Sequence, residues 1–377
     1  MGREAHWMDV PNHLLSLIAD KLINVAEYVS FGAVCSSWQS AYTEKPIKLP
    51  PVLLILPPNT DEEQRSLYDL AENAFYHNFQ VSLPRNAVCH GSSHGWLVLV
   101  LNNSKIILFN PLLSQNNEIK LPSLPPTNSP GYPHGCNLSP LSKAIVYANP
   151  LSHDGFVVVA IHDAIFRKDL SIFKSGDEAW THVMRKADRI ANVIHYNDKI
   201  YVIHDNTRLS FIDVSGPSPI VSTTSRELLP HDYHNFKSYL VESSGELLLI
   251  IKRILNFYFE MRDKAVVFEA FKLEPISNRW IRVRSLGEHT VFAFHNSALC
   301  LSTSVMHGCR PNCIYFVDMD KEDFDMRIEV RHVIGIFSLD DGGIKQLSSF
   351  KFKNFEPILL HPDYRFKPLR METGIFD

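Results

Sequence analysis

The chain has 377 residues, of which 45% are hydrophobic and 21% are charged, a composition typical of globular proteins. This composition excludes the collagen-like, disordered and disulfide-scaffold classes. Lysine and arginine total 37 against 41 aspartate and glutamate residues, so the formal charge is −4 and the positive field needed to bind nucleic acid is not expected.

The sequence predicts a soluble protein of the cytoplasm and/or the nucleus, with no nucleic-acid partner and no membrane partner. Residues 1–6 are polar and do not resemble a secretory signal. The longest apolar runs, residues 52–56 and 97–101, are far shorter than a membrane span. Six cysteines in a chain of this length do not resemble a disulfide framework, and no cofactor is expected.

Residues 9–44 predict three short helices. Asp9 can cap the first helix and Pro11 suits its first turn, residues 25–33 predict the second helix, and the helical signals end at Lys45-Pro46. Apolar residues at helical spacing define the first and third helices: Leu14, Leu15, Ile18 and Leu22, then Val34, Trp38 and Ala41.

A helical unit of about 36 residues is too small to bury its own apolar side chains, because folds below roughly 40 residues usually need outside help. Its surplus apolar surface must therefore contact something else. Two interpretations remain open from the residues alone: the helices cap the larger C-terminal part, or they dock on a partner protein.

Residues 47–87 are interpreted as a linker or as the first elements of the following domain. Within them, residues 57–86 combine a polar start with a short helix-like apolar pattern. Residues 52–56 are a candidate partner for residues 357–360, a pairing that would close the ring of a β-domain.

From about residue 88 onward the pattern changes to short alternating apolar runs, which predict β-strands separated by turns. The acidic stretch at residues 318–323 is instead interpreted as a solvated turn. The predicted strands cover residues 96–101, 105–109, 144–147, 156–161, 171–173, 199–203, 209–214, 247–251, 266–271, 298–301, 314–317 and 334–339.

A loose repeat favours a β-propeller over a β-sandwich for these strands. Two of its members are followed by Trp180 and Trp280, which are 100 residues apart, or about two blades at roughly 45–50 residues each. The spacing is irregular, so the expected number of blades is five to seven. In each member a strand with an apolar end precedes a polar turn, near Phe109, Phe173, Ile212, Phe271 and Phe337.

The sequence also contains a G-x-S-x-G pattern at residues 91–95, which in hydrolases exposes a nucleophilic serine at a strand-to-helix turn. Here residues 96–101 predict a strand after the motif. A structural turn is therefore the favoured interpretation, and a catalytic role for Ser93 is the less favoured one.

Two groups are candidate zinc ligands, His307 and Cys309 with Cys313, and Cys89-His90 with His94, but structural roles are favoured for both. Cys309 and Cys313 lack a second pair at zinc-site spacing, and Cys313 falls in a predicted strand, where a thiol packs as a small apolar group. Cys89-His90 with His94 is similarly incomplete, so no metal site is predicted.

Both halves of the chain resemble a known family, the plant F-box proteins with a C-terminal KIB-type (kelch-like) propeller. Residues 7–11, 14–22, 27–31 and 34–38 resemble an F-box. Residues 91–97, 109–111, 312–316 and 335–342 resemble pieces of the propeller. The resemblance implies an α+β multidomain chain, with an F-box at 1–46, a linker or first propeller elements at 47–87, an all-β propeller at 88–365 and a tail at 366–377.

The resemblance further implies a non-catalytic, substrate-recognition subunit of an SCF-type ubiquitin ligase. The F-box would bind a Skp adaptor, and through it the cullin and RING subunits, while the propeller would bind an unknown target protein. The alternatives are a propeller hydrolase, or an F-box protein acting outside ubiquitination. The positions carried over as Skp-facing or Skp-supporting are Val10, Pro11, Leu14, Leu15, Ile18, Leu22, Val34 and Trp38.

Two positions depart from the family pattern. Val10 stands where leucine is usual before Pro11, and Gln39 follows Trp38 where many members have arginine. The second change removes a positive charge that would face an acidic adaptor, so the resemblance implies a reduced affinity for Skp.

Overall fold

The computed structural model describes residues 10–19, 21, 31–32, 34–44, 52–55, 64–101, 105–111, 116–124, 141–148, 150, 155–164, 167–187, 190–216, 218–223, 236–256, 264–295, 297–305, 308–322, 329–352 and 357–360. Two α-helices lie in this part of the chain, α1 (Asn12–Ala19) and α2 (Ser36–Glu44), together with a short 3-10 helix at Thr303–Val305. None of the helices described is long and apolar enough to cross a membrane.

The strands form six sheets. Sheet 1 contains β1 (Val52–Ile55), β2 (Gln64–Asp69), β3 (Ala74–Ser82) and the last strand, β25 (Ile358–Leu360). Sheet 2 contains β4 (Val88–Ser93), β5 (Trp96–Val100), β6 (Ile106–Phe109) and β7 (Glu118–Leu121). Sheet 3 contains β8 (Leu141–Tyr147), β9 (Val157–Ala164), β10 (Arg167–Lys174) and β11 (Thr181–Ala187).

The remaining three sheets follow in chain order. Sheet 4 contains β12 (Ile190–Tyr196), β13 (Lys199–His204), β14 (Leu209–Asp213) and β15 (Ile220–Thr223). Sheet 5 contains β16 (Phe236–Ser243), β17 (Glu246–Asn256), β18 (Lys264–Glu274) and β19 (Arg279–Val283). Sheet 6 contains β20 (His289–Ala293), β21 (Ala298–Ser302), β22 (Cys313–Glu322), β23 (Glu329–Ser338) and β24 (Ile344–Phe352).

Sheets 2 to 5 are antiparallel meanders in which each strand pairs with the next along the chain. Sheet 6 differs, because β21 is its inner edge strand in the order β21-β20-β22-β23-β24 and β20 runs parallel to β22. Tight hairpins connect the first two strands of sheets 2, 4 and 5. Their turn residues have positive φ, as type I′ turns require: His94-Gly95, Asn197-Asp198 and Ser244-Gly245.

Apolar clusters join neighbouring sheets from sheet 2 to sheet 6 and back to sheet 1, and β25 of sheet 1 approaches β4 of sheet 2. Trp96 of sheet 2 shares a buried cluster with Val158 of sheet 3, and further clusters join sheets 3 and 4, sheets 4 and 5, and sheets 5 and 6. The last cluster returns to the start, because Tyr68 and Leu359 of sheet 1 pack with Phe292 of sheet 6. Sheets arranged radially in a closed ring are a β-propeller, so the predicted propeller is confirmed and the sandwich alternative is wrong.

The two ends of the chain close the ring. β25 pairs antiparallel with β1, with Val52 opposite Leu360 and Leu54 opposite Ile358. This confirms the pairing expected between residues 52–56 and 357–360. Residues 64–82 of the segment left open as a linker or first elements form β2 and β3 of the same sheet, rather than a helix-like turn.

Two further expectations have different outcomes. The solvated turn expected at residues 318–323 is wrong for the first five of these residues, which lie in strand β22. There the Asp318 carboxylate forms a 2.9 Å ion pair with the ammonium group of the buried Lys252. The second predicted helix falls on residues of which only 31 and 32 are described, so the three-helix F-box stays a prediction.

Candidate functional site

Helix α1 begins where the sequence predicts it. The backbone N–H groups of Leu14 and Leu15 donate to the carbonyl of Pro11 at 2.9 and 3.1 Å, which closes the first turn. Proline is suited to this place because its ring fixes φ near the helical value and its missing N–H is not needed there. The predicted cap, Asp9, lies outside the described residues.

The helical region has a small apolar core of its own. Leu15 and Ala19 of α1 are buried with Phe31 and with Ala41 of α2. Trp38 packs against this core, with its ring centroid 4.7 Å from that of Phe31. Val10 also packs against it. Leu15, Trp38 and Val10, which were carried over as Skp-facing or Skp-supporting, therefore hold the helices together.

The opposite side of α1 is apolar and exposed. Leu14 is 43% exposed, Ile18 36% and Val34, just before α2, 51%. Pro11 is also exposed at the start of the helix, whereas Leu22 lies outside the described residues. These exposed positions are the part of the predicted Skp-binding set that is free to meet a partner.

Leu17 belongs to the same exposed surface and was not predicted. It is 57% exposed, more than Leu14, Leu15 or Ile18. Because an α-helix has 3.6 residues per turn, Leu17 lies beside Leu14, three positions earlier, and next to Ile18. The exposed apolar face of α1, formed by Leu14, Leu17 and Ile18 with Val34 nearby, is a candidate protein-binding surface.

A second candidate site lies in the channel at the centre of the propeller. The first strands of sheets 2 to 5, and β21 of sheet 6, line a cavity of about 410 Å³. Most of the lining comes from the C-terminal halves of these strands, so the cavity lies toward the end of the channel that carries the tight hairpin turns. Inside it, the Ser297 hydroxyl donates to the Ser92 carbonyl at 3.0 Å, linking sheet 6 to sheet 2.

The wall of this cavity combines aromatic and titratable side chains. The rings of Tyr147 and His195 stack with centroids 3.6 Å apart. Burial lowers the pKa of His195, and the charge of His94 acts in the same direction while Asp198 opposes it. Glu242 and Cys300 line the same cavity, and burial raises the pKa of the Cys300 thiol. The cavity therefore offers stacking surface and several hydrogen-bonding groups.

The G-x-S-x-G pattern has a structural explanation at each fixed position. A side chain on Gly91 would place its Cβ 1.9 Å from the Ala144 carbonyl oxygen, so glycine lets β4 approach β8. Ser93 accepts a hydrogen bond from the N–H of Val146 at 3.3 Å. Gly95 has φ +78° in the hairpin turn. Because β5 follows the turn, the predicted structural turn is confirmed and the strand-to-helix geometry of a nucleophile elbow is not present.

The cysteines considered as zinc ligands lie in an apolar environment. Cys309 and Cys313 are both buried in the cluster between sheets 6 and 1. Burial raises the pKa of the Cys309 thiol to about 12 and also raises that of Cys313, which disfavours the thiolate form that binds zinc. The described residues contain no group of three or more histidine, cysteine or acidic side chains placed to hold a metal ion.

Comparison with known proteins agrees with this architecture. Residues 67–338 match the model of the KIB1-4 beta-propeller family. The chain is 25% identical to F-box protein At2g26160 of Arabidopsis thaliana over 83% of its own length and 95% of the relative's. It is 24% identical to F-box protein SKIP23 of the same plant over 90% of both chains, and 26% identical to F-box protein At2g17036 over 82% and 81%.

These matches confirm the resemblance stated from the sequence motifs. The family model covers the propeller from β2 to the last residue of β23, and the relatives extend the similarity over most of the chain. The chain therefore belongs to the KIB1-4 beta-propeller family and is similar along most of its length to plant F-box proteins.

Proposed function

We propose that this protein is the substrate-recognition subunit of an SCF-type ubiquitin ligase. The exposed apolar face of α1 binds a Skp-type adaptor, which connects the chain to the cullin and RING subunits. The propeller holds a target protein close to the ubiquitin-loaded enzyme, so the subunit acts by proximity and supplies no chemistry of its own. The similarity to proteins named as F-box proteins supports this assignment.

The observation that carries the proposal is the surplus apolar surface of α1. Three large aliphatic side chains of an eight-residue helix are at least 36% exposed, although the same helix buries Leu15 and Ala19 on its other side. A helix that is apolar on two faces requires a second contact surface. Docking this face into a groove or against a helix of another protein is a common mode of recognition.

The two departures from the F-box pattern affect the proposal differently. Val10 packs against the helical core, so its smaller volume changes packing rather than the adaptor contact. Gln39 is half-buried, and its backbone N–H donates to the Cys35 carbonyl at 2.8 Å within the first turn of α2. Of the two departures, only Gln39 is therefore expected to reduce the attraction to an acidic adaptor surface.

The hairpin-turn end of the propeller is the proposed target-binding surface. Its turns carry polar side chains around the mouth of a cavity with aromatic and titratable walls. Loops held by a rigid scaffold are common binding surfaces in proteins.

Co-purification of the full chain with a Skp-type adaptor tests the proposal, using Leu17→Asp and the control Ser16→Asp. At about 100° per residue, Ser16 lies on the far side of α1 from the exposed apolar face, whereas Leu17 lies within it. We expect stoichiometric binding by the wild type and by Ser16→Asp, and a loss of 100-fold or more for Leu17→Asp, because a charge would enter a desolvated contact. Equal binding by both variants, or none by a folded wild type, would contradict the proposal.

A role outside ubiquitination is the second candidate for an adaptor-binding chain. The two functions differ in a reconstituted ligase, where a substrate-recognition subunit increases ubiquitin transfer to its target and a non-ligase F-box protein does not. The hydrolase alternative has no support in the 91–95 motif, where Ser93 lies in a hairpin and accepts a backbone hydrogen bond.

A further inference from the structure

The cavity in the channel has opposite charges at its two ends. Lys143, Ile145 and Tyr147 alternate along β8 and all three line the cavity, as expected for side chains on one side of a strand. Lys143 comes four residues before Tyr147, so it lies about 13 Å farther from the hairpin turns at about 3.3 Å per residue. Glu242, the seventh of the eight residues of β16, lines the cavity near those turns. A positive group therefore lies deep in the channel and a negative group near its mouth.

These two charges have no strong partner of their own. Among the described residues that line the cavity, Lys143 carries the only ammonium group and Glu242 the only carboxylate. The Lys143 ammonium makes no ion pair or hydrogen bond with another described residue. Glu242 is exposed, and its Oε1 atom accepts a hydrogen bond from the Gly245 N–H at 3.1 Å. Each end of the cavity is therefore able to pair with a group of opposite charge.

The wall between the two charges carries polar groups without a partner in the described part of the chain. Ser92 is 7% exposed and lines the cavity, and its hydroxyl makes no hydrogen bond there. The Nε2 atom of His195 is buried and also has no partner among the described residues. Asn192, 3% exposed, donates one amide N–H to the Ser238 carbonyl at 2.9 Å, which leaves its second N–H available. A ligand with donors and acceptors along its length would satisfy these groups.

We propose that the channel binds the C-terminal end of a target protein, with the terminal carboxylate at Lys143 and a basic side chain of the target at Glu242. This proposal rests on the target-binding role proposed above for the hairpin-turn end of the propeller. An extended peptide spans about 3.3–3.6 Å per residue, so about 13 Å separates the carboxylate from a residue three or four positions upstream. The peptide N–H and C=O groups in between supply partners for Ser92, Asn192 and His195.

The position of Lys143 sets the direction in which the peptide enters. The N-terminus of a protein is positively charged and would be repelled from the deep end of the cavity, whereas a carboxylate forms a charge-assisted hydrogen bond with an ammonium group. Capture of a terminal carboxylate is a recurring mode of peptide recognition. Burial, with the charge of Lys168, lowers the pKa of Lys143 to about 7, and a carboxylate beside the ammonium favours its charged form.

Peptide selection on the full chain tests the proposal. The probe is a pool of N-terminally acetylated peptides whose last residues are randomised, prepared once with a free C-terminal carboxylate and once with a C-terminal amide. We expect peptides to be retained from the carboxylate pool only, with lysine or arginine enriched three or four residues before the terminus. Equal retention from the two pools, or no retention from either, would overturn the proposal.

Variants at the two ends of the cavity assign the contacts, with fluorescence anisotropy of a retained peptide as the measurement. Lys143→Met keeps the aliphatic stem and removes the charge, so we expect at least a tenfold weaker affinity for the free-acid peptide and no change for its amide. Glu242→Gln should abolish the preference for a basic residue but keep the discrimination between acid and amide. Lys120→Met is the matched control, because Lys120 is exposed on β7, the strand of sheet 2 farthest from the channel. Equal affinities of Lys143→Met and Lys120→Met for the free-acid peptide would rule the site out.

Peptide binding and adaptor binding are measured separately, so the two proposals fail in different ways. A chain that binds the Skp-type adaptor but retains no peptide would contradict the carboxylate site and leave the ligase assignment in place. A chain that binds the free-acid peptide but no adaptor would support the carboxylate site and contradict the ligase assignment.

Discussion

The helical region and the propeller differ in how completely they bury their large apolar side chains. Around α1 and α2, the buried core contains Leu15, Ala19, Phe31 and Ala41, while four large aliphatic residues nearby are at least 36% exposed. In the propeller, the exposed large aliphatic residues are spread over sheets 2, 4, 5 and 6, and each sheet shares a buried cluster with a neighbour. Among the described residues, the helical region therefore leaves large apolar side chains exposed, whereas the propeller buries most of its own.

This difference has a physical origin in chain length and closure. A short helical unit cannot surround its apolar side chains, so one face stays accessible. A ring of sheets supplies a neighbour for each sheet and leaves few open edges. The comparison predicts that damage to the ring should lower the stability of the propeller without affecting binding of the adaptor to α1.

Removal of the closing strand is the change with the largest expected effect. A chain ending at residue 352 lacks β25, and with it Ile358, Leu359 and Leu360, each at most 9% exposed. At about 1.5–3 kcal/mol for each buried side chain, we expect the free energy of unfolding to fall by about 5 kcal/mol or more. The measurement is denaturant unfolding followed by tryptophan fluorescence, which reports on the propeller through Trp96, Trp180 and Trp280.

A chain ending at residue 365 is the control, because it removes only the predicted tail. It should unfold at the wild-type denaturant concentration. The chain ending at residue 352 should still co-purify with the Skp-type adaptor if α1 and α2 are independent of the ring. Loss of adaptor binding in this chain alone would show that the helices depend on the propeller, and the contrast between the two regions would fail.

The close approach of β4 to β8 provides a test inside the ring. In Gly91→Ala the new Cβ would lie 1.9 Å from the backbone oxygen of Ala144, and a backbone atom cannot rotate away as a flexible side chain can. We expect a loss of about 1–3 kcal/mol, the usual cost of overpacking. Gly216→Ala is the control, since its nearest contact would be an ordinary 3.8 Å from the Ser218 oxygen. If the two variants unfold at the same denaturant concentration, the packing argument for the G-x-S-x-G pattern is wrong.

The repeat in the sequence predicted the propeller correctly because its members occupy the same strand in successive sheets. Phe109, Phe173, Ile212 and Phe271 lie on β6, β10, β14 and β18, the third strands of sheets 2 to 5, and Phe337 lies on the corresponding strand β23 of sheet 6. Alternating apolar residues are a local signal, so each of these strands is visible in its own segment of sequence.

Sheet 1 shows where local signals end. Its strands come from residues 52–82 and 358–360, and the register that joins them depends on contacts across nearly the whole chain. The pairing of residues 52–56 with residues 357–360 was predicted only as a candidate. An apolar composition indicates that a segment forms a strand, but it does not indicate which other strand it pairs with. The acidic residues of β22 were missed for a related reason: Lys252, which compensates Asp318, is 66 positions away.

The candidate sites depended even more on three-dimensional packing. The sequence predicted an apolar stripe on α1 but could not separate Leu15, which is buried, from Leu14 and Ile18, which are exposed. Leu17 was missed because a single stripe was assumed where the helix has two apolar faces.

Trp180 and Trp280 give the smallest and most specific test of the ring. The sequence placed them two blades apart. In the structure Trp180 directly precedes β11 and Trp280 is the second residue of β19, the outermost strands of sheets 3 and 5. Each indole N–H donates to a carbonyl of the preceding sheet or the segment that follows it: Trp180 to Pro122 at 2.7 Å and Trp280 to Thr207 at 3.3 Å. Each tryptophan therefore links its sheet to the preceding sheet by one hydrogen bond, sheet 3 to sheet 2 and sheet 5 to sheet 4.

Replacing each tryptophan by phenylalanine should remove this hydrogen bond while keeping an aromatic ring in place. We expect Trp180→Phe and Trp280→Phe to lower the free energy of unfolding by about 1 kcal/mol each, with Trp180→Phe the larger because its bond is shorter. Since the two residues lie in different, non-adjacent sheets, the losses should add in the double variant to within about 0.5 kcal/mol. A double variant no less stable than either single variant would mean that the two bonds report one shared opening of the ring, and sheets 3 and 5 would then have to be treated as one cooperative unit.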